Sequence, residues 1–183
     1  MPRIFIAINL PPLKPLMEAI GELRQMGRAL RAVAPENLHI TTRFLGEADA
    51  ATIESVKSAI SDAVEPHSAF DLKLCGVGVF PNERRPSVVW AGVDAESAQP
   101  LVAINNRLQP LLEDLGFAAE SRPFQPHLTL ARIKARPPGT LRDFLDRYDS
   151  GDFGTMKVKS VDLMMSQLLP AGPQYSVLAS FTL

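Results

Sequence analysis

Asn37-Leu38-His39-Ile40-Thr41-Thr42-Arg43-Phe44-Leu45-Gly46-Glu47 decides how this chain is read. Arg122-Pro123-Phe124-Gln125-Pro126-His127-Leu128-Thr129-Leu130-Ala131-Arg132 repeats its kernel in the second half. Both hold a His-x-Thr tripeptide in which polar and apolar residues alternate, the pattern of a half-buried strand. Residues i and i+2 of a strand share a face. Each tripeptide therefore sets an imidazole beside a hydroxyl, with Ile40 or Leu128 turned to the core. The chain has three histidines (His39, His67 and His127) and seven threonines in 183 residues. At that frequency, three histidines yield about 0.1 such tripeptides by chance, so two copies carry weight.

Outward from these kernels, each half reads as strand, helix, strand. The first has Arg3–Leu10, a helix over 12–30 and Leu38–Leu45; the second has Ser87–Val93, a helix over 97–115 and Pro126–Arg132. Between them, Asp49 caps a helix carrying Ile53, Val56, Ile60 and Val64. Phe70–Phe80 reads as a strand with Gly76 and Gly78 as bulge or close-approach points. Ser97 is expected to cap the second helix, Pro110 to kink or break it, and Gly116 to stop it. Thr140–Tyr148 reads as a short helix. Thr155–Leu168 and Gln174–Leu183 are expected to pair as a hairpin across Pro170-Ala171-Gly172-Pro173. The echo predicts two similar lobes facing one another, and a chain of this length makes a single domain or two tightly joined lobes.

Composition fits. Hydrophobic residues make up 46% and charged residues 21%, close to the globular average, which excludes disordered and collagen-like classes. The lone Cys75 cannot form an internal disulfide, which fits a reducing compartment. The apolar run Ile4–Ile8 ends at Asn9, and no stretch approaches ~20 apolar residues. A cytoplasmic protein without membrane partners is expected. Lys and Arg number 19 against 20 for Asp and Glu, a net charge of −1, which excludes a general coater of duplex nucleic acid. Locally, Ser121–Arg142 holds Arg122, Arg132, Lys134, Arg136 and Arg142 with no acid. It reads either as a solvated basic loop or as a pull on a phosphate-bearing ligand.

Two His-x-Thr strands opposed across a cleft give two imidazoles and two hydroxyls around one small volume, which suits a tetracoordinate phosphate. The hydroxyls donate to non-bridging oxygens, and the imidazoles serve as acid and base. With ordinary pKa values of ~6.5, one neutral and one protonated histidine coexist in roughly a fifth of molecules at pH 7. This chemistry calls for no metal or cofactor. His67, outside any such tripeptide, reads as structural. No His or Cys cluster has zinc spacing. Gly-x-Ser-x-Gly is absent, Gly76-Val77-Gly78 lacks the rest of a nucleotide fingerprint, and no Lys-x-Asp-Gly supports an ATP-using ligase. Arg43 shares parity with His39 and Thr41, so it reads as a phosphate contact or a strand-end charge. Phe5 and Phe80 could stack a base or belong to the core. Arg132 has the wrong parity for the cleft unless a bulge near Ala131 restores it.

The two quoted segments resemble the signature segments of the 2H phosphoesterases, and within them the LigT-type RNA 2′,3′-cyclic phosphodiesterases, historically called 2′-5′ RNA ligases. Arg3–Ile8, Arg85-Pro86, Val89-Trp90 and Tyr175 extend the resemblance along nearly the whole chain. It implies a bilobal α+β fold, with sheets of antiparallel type and outer helices around a central cleft. It also implies metal-independent opening of a 2′,3′-cyclic phosphate, on RNA ends, tRNA fragments or nucleotides, to a 2′-phosphate. Some members also act on 2′-5′ linkages. By the same resemblance, His39 is the proton donor, His127 the proton acceptor, Thr41 and Thr129 bind the phosphate, and Arg132 is a substrate contact. A monomer is expected. The contrasting reading is a non-catalytic RNA- or nucleotide-binding module using the same cleft.

Overall fold

The computed structural model describes residues 1–169 and 172–183. Strands β1 (Arg3–Asn9) and β3 (His39–Glu47) flank helix α1 (Lys14–Gln25), and β5 (Val88–Val93) and β6 (His127–Ile133) flank α3 (Gln99–Asp114). The remaining elements are β2 (Leu30–Ala32), α2 (Ala50–Val64), β4 (Phe70–Phe80), α4 (Thr140–Tyr148), β7 (Asp152–Val158), β8 (Ser160–Leu169) and β9 (Gly172–Thr182). Two sheets result, in the orders β3-β1-β8-β9 and β2-β6-β5-β4-β7. Every strand pairing is antiparallel. We call them the first and second lobes. In both, the His-x-Thr strand pairs with the strand that begins its unit, as the echo requires.

Helices α1 and α4 pack on the second sheet, and α2 packs on β8, β9 and α3. A single apolar core, including Ile6, Leu16, Ile20, Ile40, Ile60, Leu72, Leu108, Leu128 and Phe153, joins helices to sheets. Burial of an aliphatic side chain contributes about 1.5–3 kcal/mol each, so this core dominates stability. A small separate cluster of Phe5, Ala7 and Met164 with Tyr175 lies on the other face of the first sheet, toward the cleft. Among the described residues, no helix is long and apolar enough to cross a membrane.

Several expectations are met locally. Asp49 Oδ1 accepts from Thr52 N at 2.8 Å and caps α2. Gly116 has φ +89° just past α3, with its N–H donated to Glu113 O, a glycine termination. Others are corrected. Ser97 does not cap α3; its hydroxyl accepts from Lys73 N, tying β4 to the helix approach. Pro110 does not break α3. It lies on the exposed side, as does Asn106, so the carbonyl deprived of a partner is open to water. The apolar run Thr155–Leu168 is not one strand. It changes sheet at Lys159, ending β7 in the second lobe and beginning β8 in the first. β8 does pair with β9; Pro170 and Ala171 of the expected turn lie outside the described residues. The short strand β2 was hidden at the end of the predicted first helix.

Candidate active site

β3 and β6 touch across the two sheets, which brings the two His-x-Thr kernels together. Their burial patterns run in parallel. From the histidine, both read half-buried, buried, half-buried, buried, buried, exposed, half-buried. The two consecutive buried residues mark a bulge at the same place in each. In the β1–β3 ladder, Ile6 pairs with Arg43 and Ala7 with Thr41, so Thr42 is extra. In the β5–β6 ladder, Val89 pairs with Ala131 and Trp90 with Thr129, so Leu130 is extra. A bulge inverts side-chain parity beyond it.

That inversion decides three residues. Arg132 returns to the face of His127 and Thr129 and is exposed there. Arg43, the candidate phosphate contact, goes the other way: it is 5% exposed, donates to Ala118 O and pairs with Glu120 at 3.1 Å. Strand parity predicts the cleft for Arg43; the bulge at Thr42 turns it to the opposite face, where it holds the α3–β6 connection. Phe44 takes the cleft position instead, 71% exposed. Sequence reasoning passed over it. The signal was the second kernel, where the fifth residue after the histidine had to be explained by a bulge.

Phe5 is corrected as well. At 2% exposure it has no open face for a base. Its ring centroid lies 5.2 Å from His39, 5.9 Å from Phe44 and 5.2 Å from Tyr175, so it backs the histidine from below. Tyr175 closes on His39 edge-on at 5.0 Å. The second lobe mirrors this support, with Phe80 edge-on to His127 at 4.9 Å and Trp90 at 6.4 Å.

Both imidazoles are fixed in the same way. His39 Nδ1 lies 2.7 Å from Asn37 O and His127 Nδ1 lies 2.8 Å from Gln125 O. A carbonyl only accepts, so each Nδ1 carries the hydrogen and each Nε2 is left to exchange a proton. Burial lowers the pKa of His39 below the ordinary 6.5; the Asn37 carbonyl opposes this, while the charges of Arg132 and His127 lower it further. Arg132 and His127 are thus within electrostatic reach of His39, although they belong to the other lobe. Thr41 pairs with Ala7 and Thr129 with Trp90, each half-buried on its histidine's face. His67 stands apart near Arg107. Among the described residues, no group of three or more His, Cys, Asp or Glu is arranged to hold a metal ion.

An α+β frame whose two matched His-x-Thr strands touch fits a phosphoesterase-like class. The chain belongs to the 2′-5′ RNA ligase superfamily, whose family model matches residues 11–167. It is 34% identical to an RNA 2′,3′-cyclic phosphodiesterase of Archaeoglobus fulgidus, over 98% of this chain and 99% of that one. It is 32% identical to the protein of that name from Methanothermobacter thermautotrophicus, over 99% and 98%. Among solved structures it is similar to a protein of Thermus thermophilus, with TM-score 0.82 and 33% identity over 99% and 97% of the two chains. It is also similar to E. coli LigT complexed with 3′-AMP, with TM-score 0.75 and 26% identity over 100% and 99%.

Proposed function

We propose that the protein is an RNA 2′,3′-cyclic phosphodiesterase that opens the ring to a 2′-phosphate, with His39 as acid and His127 as base. The observation that carries this reading is the matched pair of imidazoles, each tied at Nδ1 to the carbonyl two residues back and so reactive at Nε2. His127 Nε2 removes a proton from water as its oxygen attacks phosphorus. The P–O3′ bond breaks, and His39 Nε2–H passes its proton to O3′. The product carries a 2′-phosphate and a 3′-hydroxyl; the next turnover needs a proton returned from His127 to His39 through solvent. Thr41 and Thr129 donate to the non-bridging oxygens, where charge grows in the transition state. Two positioned acid–base groups are worth 10²–10⁴-fold each, on the order of what a strained cyclic ester requires.

In-line displacement puts water and O3′ on opposite sides of phosphorus. O3′ belongs to the ribose and faces His39, so the nucleoside extends over the first lobe, where Phe44 offers an open ring. The lowered pKa of His39 makes it a stronger acid but leaves it less often protonated in the empty cleft. The negative charge of a bound phosphodiester acts in the opposite direction. The same groups act on 2′-5′ linkages when a ribose hydroxyl replaces water. The relatives named as phosphodiesterases support the reading. The test is incubation with 2′,3′-cyclic AMP in excess chelator, read by chromatography. Accumulation of 2′-AMP supports the enzyme; binding without product would favour a non-catalytic module.

A further inference from the structure

β3 is an edge strand of the first sheet. The chain between α3 and β6 runs past its distal half and encloses an open groove of about 430 Å³, within the roughly 300–1,000 Å³ of ligand sites. Phe44, Phe117, Ala118, Glu120 and Ser121 line it. Phe44 joins this groove to the histidines, because its ring is separated from that of His39 only by the ring of Phe5. The connecting segment itself continues to Gln125, whose carbonyl holds His127. The groove therefore lies on the side of the cleft over which the nucleoside extends.

One wall is aromatic and the other is acidic. Glu120 Oε1 lies 3.1 Å from Arg43 Nη1, and the Glu120 side chain is 48% exposed. A carboxylate has about four acceptor positions on its two oxygens, and among the described residues Arg43 is its one partner. Arg43 is buried and anchored on Ala118 O, so it fixes the carboxylate and offsets its charge beside a polyanionic substrate. The remaining acceptor positions are open to the groove. Such a pair of walls selects among bases. Every base stacks on an aromatic ring, but a carboxylate only accepts. Guanine sets N1–H and N2–H side by side, a match for two carboxylate oxygens. Adenine and cytosine set one amino group beside a ring-nitrogen acceptor, and uracil sets N3–H between two carbonyls. Each of these three turns a lone pair toward the carboxylate.

We propose that Glu120 reads the Watson–Crick edge of a guanine stacked on Phe44, so that the preferred substrate ends in guanosine 2′,3′-cyclic phosphate. This rests on the phosphodiesterase reading above. The test compares kcat/KM for the 2′,3′-cyclic phosphates of guanosine, inosine, adenosine and uridine. Hydrogen bonds to a charged group in a half-open site should give guanosine an advantage of about tenfold over adenosine and uridine. Inosine, which keeps N1–H and lacks the N2 amino group, should fall between. E120Q puts a donor where an acceptor oxygen stood and should cut the advantage to about twofold or less. Equal kcat/KM for guanosine and adenosine in the wild type would overturn the assignment, as would an E120Q variant that lowers every substrate in proportion. Calorimetric affinities for 2′-GMP and 2′-AMP make the same comparison without turnover. A wild type that turns over none of the cyclic phosphates yet binds 2′-GMP about tenfold more tightly than 2′-AMP would end the phosphodiesterase reading and leave the guanine subsite standing.

Discussion

Replacing Arg43 with Met separates the two places this side chain can occupy. On the back of β3, its guanidinium donates to Ala118 O and meets Glu120 at 3.1 Å. A hydrogen bond from a charged group contributes about 1.5–3 kcal/mol, and the lower end applies here because Ala118 itself is exposed. The ion pair adds about 0–1 kcal/mol, because the Glu120 side chain is 48% exposed and stays solvated without it. Against this, Arg43 Nε is buried with no partner, and Met removes that cost while filling the space of the stem. The net loss should be about 1–2 kcal/mol, which lowers Tm by about 2–8 °C in a domain of this size. E120Q should cost less than about 1 kcal/mol. Thermal unfolding followed by circular dichroism, with turnover of 2′,3′-cyclic AMP measured on the same preparations, reads both effects. R43M should retain kcat/KM within about threefold. A fall of about 10² or more with Tm unchanged would mean that Arg43 reaches the phosphate and that the bulge at Thr42 is misread.

H39A and H127A should each lower kcat by at least ~10² with little change in unfolding temperature; near-parental turnover in either would end the two-histidine mechanism. The pH dependence carries a sign. His39 must be protonated to act as the acid and its pKa is lowered, so kcat/KM should begin to fall on the alkaline side below pH 6.5. R132M removes one of the charges that lower it, so that limb should move to higher pH; movement of the acid limb instead would exchange the two histidines' roles. G78A should disturb the base's support. A Cβ there would fall inside the indole of Trp90, 2.7 Å from Cε2, and the indole lies tilted against the Phe80 ring, 5.1 Å between centroids, which in turn abuts His127. Overpacking of this kind costs about 1–3 kcal/mol, with a drop in kcat; an unchanged Tm and kcat would show that Trp90 has room to move.

The elements around the kernels were legible because hydrophobic period and caps agree locally: β4 and α4 fall on the expected residues, and Asp49 caps α2 as read. The paired kernels were legible for the same reason, as alternation over three residues needs no tertiary information. What escaped depends on contacts distant in sequence. The bulges at Thr42 and Leu130 are properties of ladders formed with β1 and β5, and they alone decide that Phe44 and Arg132 face the cleft while Arg43 does not. Thr155–Leu168 is continuous in hydrophobicity, and nothing local marks Lys159 as the point where the chain changes sheet. Phe5 looked available because a strand aromatic can face either way; Tyr175, His39 and Phe44 cover it. Pro110 obeys its local rule in losing a bond, but packing of Leu101, Ile104, Leu108 and Leu112 holds α3 across it.

A crystal structure with 2′-AMP bound would test the convergence of the two lobes most directly. The account predicts phosphate oxygens within about 3 Å of Nε2 on both His39 and His127, with the Thr41 and Thr129 hydroxyls donating to the remaining oxygens and the ribose over the first lobe. A phosphate that touches one imidazole while the other points to solvent would contradict it.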